Sequence, residues 1–336
     1  MLPLPLGFAG ATLSPEPLFI LLLALLIDAA FGDTPALFRL VPHPVRLIGN
    51  VIGAAERKLN RARRGDTDRL LRGGALLLAM VAGAAAIGAG VTFLSHAAPK
   101  FWLIELFLTA SLIAQRGLYD HVRAVKHALE TGGTETGRRA VAHIVGRDTA
   151  SLDGHGVARA AIESCAENFG DAVIGPVFWY VLLGFPGLLV YKTVNTLDSM
   201  IGHRSERYRA FGKASARFDD LLNLVPARLS GLLLSLAAAF VPRGRPGRAL
   251  RIMLRDAGHH RSPNSGWPEA AMAGALDLAL AGPRRYPGEV VEEKWIGNGS
   301  ARATAGDIGR ALAIYAVACL ITAGLVAGLL WMKLAA

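Results

Sequence analysis

Long apolar runs alternate with charged connections along this chain, and the pattern predicts a helical membrane protein. The clearest run, Leu312–Trp331, lies between Arg310 and Lys333 and contains no charged residue. With about twenty residues, it has the length of a helix that crosses a hydrocarbon core of roughly 30 Å. Gly74–His96 is a second such run, rich in Ala and Gly, which suits close helix packing in lipid.

Two shorter runs are weaker candidates for membrane segments. Phe101–Ala114 carries Glu105 and reaches full length only if the helix continues to about Leu118. Pro17–Ile27 spans a bilayer only if its helix begins near Leu6. Both are predicted to be helical, and their membrane role depends on where the helices start and end.

Two later apolar runs are interrupted. Val173–Val194 contains the string Gly-Phe-Pro-Gly at 184–187, and Leu221–Val241 contains Pro226 and Arg228. Broken or re-entrant segments are tolerated where they line a cavity bounded by protein. We therefore predict an all-α, polytopic integral membrane protein with four to six membrane segments, some of them broken or re-entrant.

Residues 115–170 are more polar and have a helical period, so they predict a helical cytoplasmic insert. Within it, the stretch 131–137 breaks one helix, and another helix begins at 151–153 and runs to Phe169. Residues 242–308 are predicted to be a cytoplasmic loop region. The chain 1–336 is interpreted as a single integral membrane enzyme domain.

Composition agrees with this assignment, because 52% of the residues are hydrophobic and only 18% are charged. The net charge is +10, and seven basic residues fill the connection between the first two segments: Arg57, Lys58, Arg61, Arg63, Arg64, Arg69 and Arg72. The positive-inside rule places that connection in the cytoplasm. We expect these residues to set topology and contact anionic lipid, not nucleic acid.

Carboxylates recur within the apolar part of the chain, where ionisable groups usually mark a functional site. Glu163, Glu167 and Asp171 are spaced by four residues, so on a helix they advance only about 40° per step and form one stripe. Asn168 flanks this stripe. The three carboxylates are candidate catalytic groups.

A second set of polar residues follows between 195 and 223. Asn195 and Asp198 share a helix face, and Asp219, Asp220 and Asn223 repeat the arrangement. A single pair of this kind is usually an ion-pair partner or a helix cap. Hard oxygen ligands in such numbers favour Mg²⁺ bound to phosphate, and the predicted metal ligands are Asp171, Asp198 and Asp219.

Basic residues near these carboxylates could neutralise a phosphate or carboxylate group, and interfacial anchoring accounts for some of them. They are Lys192, His203, Arg204, Arg207, Lys213 and Arg217. His43 lies between two prolines, and this rigid segment is either a structural loop or a means of placing His43 and Arg46 against a ligand.

The string 258–276 predicts a tight turn followed by a helix of small residues. Such a turn can direct backbone N–H groups toward an anion at the helix start. Its candidate ligand-contacting residues are Arg261, Ser262, Asn264, Ser265, Trp267 and Glu269. The sequence contains no P-loop, Rossmann fingerprint or zinc-hydrolase signature.

These strings together resemble the CobD/CbiB family, the adenosylcobinamide-phosphate synthases of cobalamin biosynthesis. The resemblance covers most of the chain in the expected order, at residues 28–49, 146–153, 161–179, 191–229 and 260–276. It implies a multi-pass enzyme of the inner (plasma) membrane whose site faces the cytoplasm. That enzyme joins (R)-1-amino-2-propanol or its O-phosphate to the f propionate of adenosylcobyric acid, with ATP as co-substrate and Mg²⁺ as cofactor.

The resemblance is combined with the residue patterns to give a hypothesis about roles. The catalytic candidates are Glu163, Glu167, Asp171, Asp198, Asp219 and Asp220. The substrate-binding candidates are His43, Arg46, Arg147, Asn168, Lys192, Asn195, His203, Arg204, Arg217 and Asn223, with the six turn residues at 261–269. Arg147, Lys192, Arg204 and Arg217 are expected to stabilise charge on a transferred phosphoryl group.

Other functions remain open at this point. One is a non-catalytic, AmpE-like membrane sensor, which should lack the acidic residues. Another is a Mg²⁺-dependent membrane transferase acting on a lipid diphosphate, and a transporter is a third class. Whether the amine enters phosphorylated, whether the chain forms a homo-oligomer and whether it associates with enzymes of nucleotide-loop assembly are also left open.

Overall fold

The computed structural model describes residues 15–32, 38, 42–146, 148–203, 205–282, 284–286, 289–291 and 294–336. The described residues are 77% helical with very little strand, so the predicted all-α class is confirmed. The chain divides into two compact units. The first unit contains Met1–Ala114, Gly175–Asn223 and Val326–Ala336, and the second contains Gln115–Ile174 and Leu224–Leu325.

Among its described residues, the first unit contains six helices and the end of a seventh. In chain order they are α1 (Pro17–Phe31), α2 (Pro44–Leu59), α3 (Asp66–Ala97), α4 (Trp102–Leu112), α7 (Gly175–Ile201), α8 (Lys213–Leu222) and the last turns of α12 (Ala305–Ala335). His43 caps α2, because its Nδ1 accepts a hydrogen bond from the Val45 N–H at 3.2 Å while Pro44 occupies the first helical position. The prolines around His43 therefore have a structural use.

Close packing of α3 against α7 organises the first unit. Gly88 lies against Pro186, and Gly73 lies against the backbone of Phe211. The two helices are antiparallel, and their shared core includes Leu76, Leu77, Tyr191, Val194, Leu197 and Phe211. Small residues at the contact let the backbones approach, as is typical of membrane helices.

The predicted interruption of α7 is present. Gly184 has φ of 69°, which only glycine adopts readily, and Pro186 follows inside the helix.

The two shorter apolar helices do not reach the length that a membrane crossing would require: α4 ends at Leu112, and α1 has 15 residues. The residues before Pro15, where a longer first helix was expected to begin, lie outside the described residues.

Within the described ranges, three stretches are long and apolar enough to cross a membrane: Asp66–Ala97, Gly154–Ile201 and Ala305–Ala335. A fourth results if α8 and α9 (Leu224–Ala237), which are separated at Asn223, form one broken span. This count of three or four is by length and composition alone. The polytopic, all-α architecture is as predicted, and the count of three or four meets the predicted four to six only at four.

The second unit has one large hydrophobic core. Its helices are α5 (Gln115–Val141), α6 (Gly154–Phe169), α9, α10 (Pro246–Asp256), α11 (Gly266–Leu276) and most of α12, with a π-helical turn at Gly170–Ile174. The expected break near 131–137 is at Gly133, where φ is 69°. Asp153 caps α6, because its carboxylate accepts a hydrogen bond from the Gly156 N–H at 2.6 Å.

Four short strands follow α11 in the second unit. They are β1 (Leu280–Ala281), β2 (Arg284–Tyr286), β3 (Glu289–Val291) and β4 (Trp295–Ile296). β1 pairs with β4 and β2 with β3, both antiparallel, with Leu280 opposite Ile296 and Arg284 opposite Val291. Besides the helix predicted to follow the tight turn, which is α11, the region 242–308 therefore also contains α10 and these strands.

The Gly88–Pro186 contact predicts a position-specific stability effect. A Cβ atom at Gly88 would lie 2.6 Å from the Pro186 Cα, so Gly88→Ala forces α3 and α7 apart. We expect a loss of about 1–3 kcal/mol in the free energy of unfolding, as for an overpacked core. Gly90→Ala on the same helix is the matched control, because its Cβ would meet nothing within 4 Å. Thermal unfolding in detergent measures both, and equal stability of the two variants would contradict the packing described.

Candidate functional site

One group of polar side chains lies in the first unit, at the end of α7 and along α8. We call Asn195, Asp198, Asp219, Asp220 and Asn223 the acidic cluster. Asp219 is 8% exposed and Asn223 is 2% exposed. The Asn223 amide donates to Asp219 Oδ2 at 3.0 Å, so the two residues predicted to share a face are in direct contact.

A third residue fixes the orientation of the Asn223 amide. The hydroxyl of Tyr191, which is completely buried, donates to Asn223 Oδ1 at 2.8 Å. Because that oxygen is held by the hydroxyl, the amide nitrogen is directed at Asp219. The chain of hydrogen bonds Tyr191–Asn223–Asp219 thus presents the carboxylate in one orientation.

The Asp219 carboxylate is only partly satisfied by this arrangement. Its Oδ1 is buried and has no hydrogen-bond partner among the residues that the structure describes. Asn195 lies beside the same carboxylate, and the charges of Asp198 and Asp220 are close enough to act on it. Buried carboxylates side by side repel one another, so the cluster favours a bound cation.

The loop between α7 and α8 is held by a clamp that the sequence analysis did not identify. Arg207 makes two hydrogen bonds to the buried carboxylate of Glu56, at 3.0 and 2.9 Å. The Asn60 amide donates to the Arg207 carbonyl at 3.0 Å, and Arg69 Nε donates to Asn60 Oδ1 at 2.7 Å. Arg207 and Arg69 were expected at a phosphate and at the membrane surface, respectively, and the structure shows them tying this loop to α2 and α3.

The other candidates in the first unit differ in exposure. Lys192, Asn195, Asp198 and Asp220 are half-buried, whereas His203 and Arg217 are exposed. Arg46 is exposed beside the half-buried cap residue His43. Arg204 lies outside the described residues, so nothing places it relative to the cluster.

A second group lies in the second unit, where α6 meets the start of α11. We call Glu163, Glu167, His260, Ser265 and Glu269 the glutamate cluster. Ser265 Oγ donates to Glu167 Oε1 at 2.8 Å, and the Ala281 N–H donates to Glu163 Oε1 at 2.8 Å. His260 Nε2 lies 3.6 Å from Glu269 Oε1, and Glu269 is 1% exposed. The structure thus brings the stripe on α6 and the turn at 258–269 together, as a shared site requires.

The turn that leads into α11 uses its own N–H groups. The Ser262 N–H donates to His260 Nδ1 at 3.0 Å, and Ser262 Oγ accepts from the N–H groups of Asn264 and Ser265 at 3.2 and 3.3 Å. The expectation that these N–H groups point at an anion is therefore not supported. The side chains of the turn, above all Ser265, are what reach the carboxylates.

The remaining candidates of the second unit surround this group. The Arg228 guanidinium lies over the Trp267 ring, with its Cζ atom 4.5 Å from the ring centroid. Asn264 is buried. The Asn168 amide donates back to the Ser164 carbonyl at 2.9 Å, and Arg261 is exposed. Asp171 lies in the π-helical turn, where the wider helical spacing alters the direction expected from the i, i+4 rule. Arg147 lies outside the described residues.

The proposed metal ligands belong to both units, with Asp198 and Asp219 in the first and Asp171 in the second. Within the described part of the chain, no group of three or more His, Cys, Asp or Glu side chains is arranged to hold a metal ion. Magnesium shared with a phosphate needs only one or two protein carboxylates, the rest being water and phosphate oxygen. The half-satisfied Asp219 carboxylate fits that kind of binding.

These observations describe a multi-pass, all-α membrane protein with two groups of buried carboxylates. A family model for CobD/Cbib protein matches residues 21–315, which is most of the chain. The chain therefore belongs to the CobD/CbiB family.

Curated relatives agree with this assignment over nearly their whole length. A "Cobalamin biosynthesis protein CobD" from Sinorhizobium sp is 51% identical over 322 residues, covering 94% of this chain and 98% of the relative. Proteins with the same name from Brucella suis biovar 1 and Rhodobacter capsulatus are 47% and 45% identical, covering 92% and 88% of this chain and 95% and 92% of the relatives. No solved structure matches the chain.

A buried carboxylate at the end of α10, Asp256, predicts a pH dependence. It ends α10, just before the turn, and is 1% exposed. Its carboxylate accepts hydrogen bonds from Arg255 Nε and Nη2 at 2.6 and 2.7 Å and from the Gly297 N–H at 2.8 Å. The hydrogen bonds from Arg255, followed by the one from Gly297, hold the pKa of Asp256 below its usual range despite burial.

A carboxylate with a lowered folded-state pKa contributes stability above its unfolded pKa, about 3.9 for Asp, and loses it as the pH falls through the folded value. We therefore expect Asp256→Asn to be less stable than wild type at pH 6, with the difference shrinking below about pH 4. Chemical unfolding at several pH values measures this. Asp120→Asn, which removes an exposed partner of Arg116, is the control and should show little effect. A pH-independent difference for Asp256→Asn would contradict the assigned role.

Proposed function

We propose that this chain is the amide-forming synthase of its family in cobalamin biosynthesis. Its reaction joins the f propionate of adenosylcobyric acid to (R)-1-amino-2-propanol or its O-phosphate and gives adenosylcobinamide or its phosphate. ATP is the co-substrate and Mg²⁺ the cofactor. The observation that carries the proposal is the Asp219 carboxylate, which is buried, oriented by Asn223 and left with one unsatisfied oxygen.

Condensing a carboxylate with an amine is uphill in water, so the carboxylate must be activated. In the proposed route, a propionate oxygen attacks the γ-phosphoryl group of ATP, and ADP leaves. The amine nitrogen then attacks the acyl carbon, the C–O bond to phosphate breaks, and inorganic phosphate departs. The proton lost by the amine passes to a carboxylate of the enzyme acting as general base.

Asp198 and Asp219 are the residues proposed to hold Mg²⁺ in the first unit, with Asp171 as a further candidate in the second. When bound, the ion offsets the negative charge of the phosphates. Tyr191 and Asn223 keep the Asp219 carboxylate oriented without drawing on its second oxygen. Lys192 and Arg217 are proposed to contact phosphate oxygens from the same unit, and Asp220 remains a candidate base.

In the second unit, the glutamate cluster is proposed to act on the substrate side chains. Glu167 is oriented by the Ser265 hydroxyl and Glu163 by the Ala281 N–H, so both carboxylates have fixed positions. A fixed, half-buried carboxylate such as Glu167 suits the general base that accepts the proton of the amine. Trp267 offers an aromatic surface to the apolar face of the corrin.

We also propose an inner-membrane location with the site facing the cytoplasm. The basic connection at 57–72 supports this through the positive-inside rule. It contains the end of α2 and the start of α3, both in the first unit with the acidic cluster. Association with enzymes of nucleotide-loop assembly and formation of a homo-oligomer are further proposals for this location.

The direct test is an assay of detergent-purified protein with adenosylcobyric acid, ATP, Mg²⁺ and either amine, with the corrin product identified by mass. We expect product with at least one amine. Asp219→Asn and Asp198→Asn should lower kcat by roughly 10²-fold or more, as expected when a charge-stabilising group is removed. Asp68→Asn is the matched control, because Asp68 at the start of α3 forms partly exposed ion pairs with Arg64 and Arg72.

Three outcomes would contradict the proposal. Corrin binding without product from either amine favours a sensor of the AmpE-like kind. Product formation that is unaffected by Asp198→Asn and Asp219→Asn, with both variants folded, removes the acidic cluster from the reaction. Conversion of a lipid diphosphate under the same conditions favours the membrane transferase.

Magnesium dependence gives a separate prediction. Removing divalent ions with a chelator should abolish product formation, and adding Mg²⁺ should restore it. In Asp219→Glu, which keeps the charge but moves it, the Mg²⁺ concentration for half-maximal rate should rise by roughly tenfold, while Asp68→Glu should leave it unchanged. Full activity after complete chelation would contradict a Mg²⁺ role.

A further inference from the structure

The first unit contains an apolar cavity that the proposed reaction does not use. It has a volume of about 410 Å³ and is lined by α1, α3, α4, α7 and α8. Apolar groups make up nearly all of its wall, including Ala85, Leu183, Phe185, Val190 and Phe218. This lining suits a hydrocarbon ligand and is unsuited to the amide-rich rim of a corrin.

The cavity is elongated along the antiparallel pair α3 and α7. On α3 its wall includes Ala85 and Thr92, which at 1.5 Å per residue are separated by about 10 Å along the helix axis. On α7 its wall extends from Trp179, past the break at Gly184, to Tyr191. Both helices belong to stretches long and apolar enough to cross a membrane, so the cavity lies where lipid chains are the available ligands.

One end of the cavity is polar. The Thr92 side chain lines it and is 6% exposed, and its hydroxyl has no hydrogen-bond partner among the described residues. Glu105, which accepts a hydrogen bond from Tyr180 at 2.9 Å, lines the same cavity. Thr92 is five residues from the end of α3, near the level at which a long helix leaves the hydrocarbon core.

We propose that this cavity binds one acyl chain of a membrane lipid, with the Thr92 hydroxyl donating to the ester carbonyl. The acyl chain extends past Ala85 toward the ring of Tyr191. An ester carbonyl near the membrane interface supplies the acceptor that Thr92 lacks, and the hydrocarbon fills the apolar wall. The cavity lies apart from the acidic cluster, although Tyr191 lines the cavity and also donates a hydrogen bond to Asn223 of that cluster.

The test uses phosphatidylcholine brominated on its acyl chains, added to protein in digitonin, a detergent without an alkyl chain. Bromine quenches nearby tryptophan, and Trp179 lines the cavity. The Trp179 signal is the difference in fluorescence between wild type and Trp179→Phe. We expect its quenching to saturate at a low ratio of lipid to detergent.

Matched variants on α3 locate the bound chain. Ala85→Phe fills the cavity, so the lipid concentration that gives half-maximal quenching of Trp179 should rise tenfold or more. Ala86→Phe, on the exposed neighbouring residue, should leave it unchanged. Thr92→Val keeps the side-chain shape and should weaken binding by roughly threefold to tenfold, the value of one hydrogen bond.

The contrary results are equally specific. Unsaturable quenching, or equal quenching in the Ala85→Phe and Ala86→Phe variants, would show that no chain occupies the cavity. Displacement of the brominated lipid by adenosylcobyric acid would assign the cavity to the corrin and overturn the lipid proposal. If Ala85→Phe does not fold, Thr92→Val decides the matter, and wild-type affinity in that variant overturns it. None of these readouts depends on synthase activity.

Discussion

Burying carboxylates within a mostly apolar chain is the constraint on which the rest of this structure depends. A buried charge is tolerated only when a donor is fixed against it. Five examples among the described residues are Asn223 for Asp219, Arg207 for Glu56, Tyr180 for Glu105, Ser265 for Glu167 and the Ala281 N–H for Glu163. The helices and loops are arranged so that each donor lies within hydrogen-bonding distance of its carboxylate.

The five pairs serve different ends because their surroundings differ. Arg207 gives Glu56 two charge-assisted hydrogen bonds, and the pair holds a loop in place. Asp219 has neutral amides beside it and further carboxylates nearby, so a bound cation would offset the repulsion between these carboxylates. The same physical rule therefore produces a structural clamp in one place and a candidate binding group in another.

Much of the fold could be predicted from the sequence because its signals are local. The apolar lengths of α3 and α12, the break at Gly184 and the cap at Asp153 each depend on a few neighbouring residues. The i, i+4 spacing of Asp219 and Asn223 correctly indicated a shared face. Helical period and turn chemistry carry this information directly.

The remaining features depend on contacts between residues far apart in the sequence. Tyr191 and Asn223 are 32 positions apart, and Glu56 and Arg207 are 151 apart, so no periodicity connects them. The π-helical turn at Asp171 and the internal bonding of the turn at 262–265 are equally invisible to a regular helical pattern. Basic residues were assigned to phosphate by charge alone, which cannot distinguish a ligand contact from a clamp.

The hydrogen-bonded set Tyr191, Asn223 and Asp219 also has an evolutionary consequence. Each residue is useful only while the next is kept, since a phenol without the amide, or an amide without the acid, would be a buried polar group lacking its partner. Descendants of this protein that abandon the acid should therefore replace all three with apolar residues, and lineages that retain it should retain all three. Coordinated replacement at these positions would then distinguish, within genome collections, chains that have kept this chemistry from those that have kept only the scaffold.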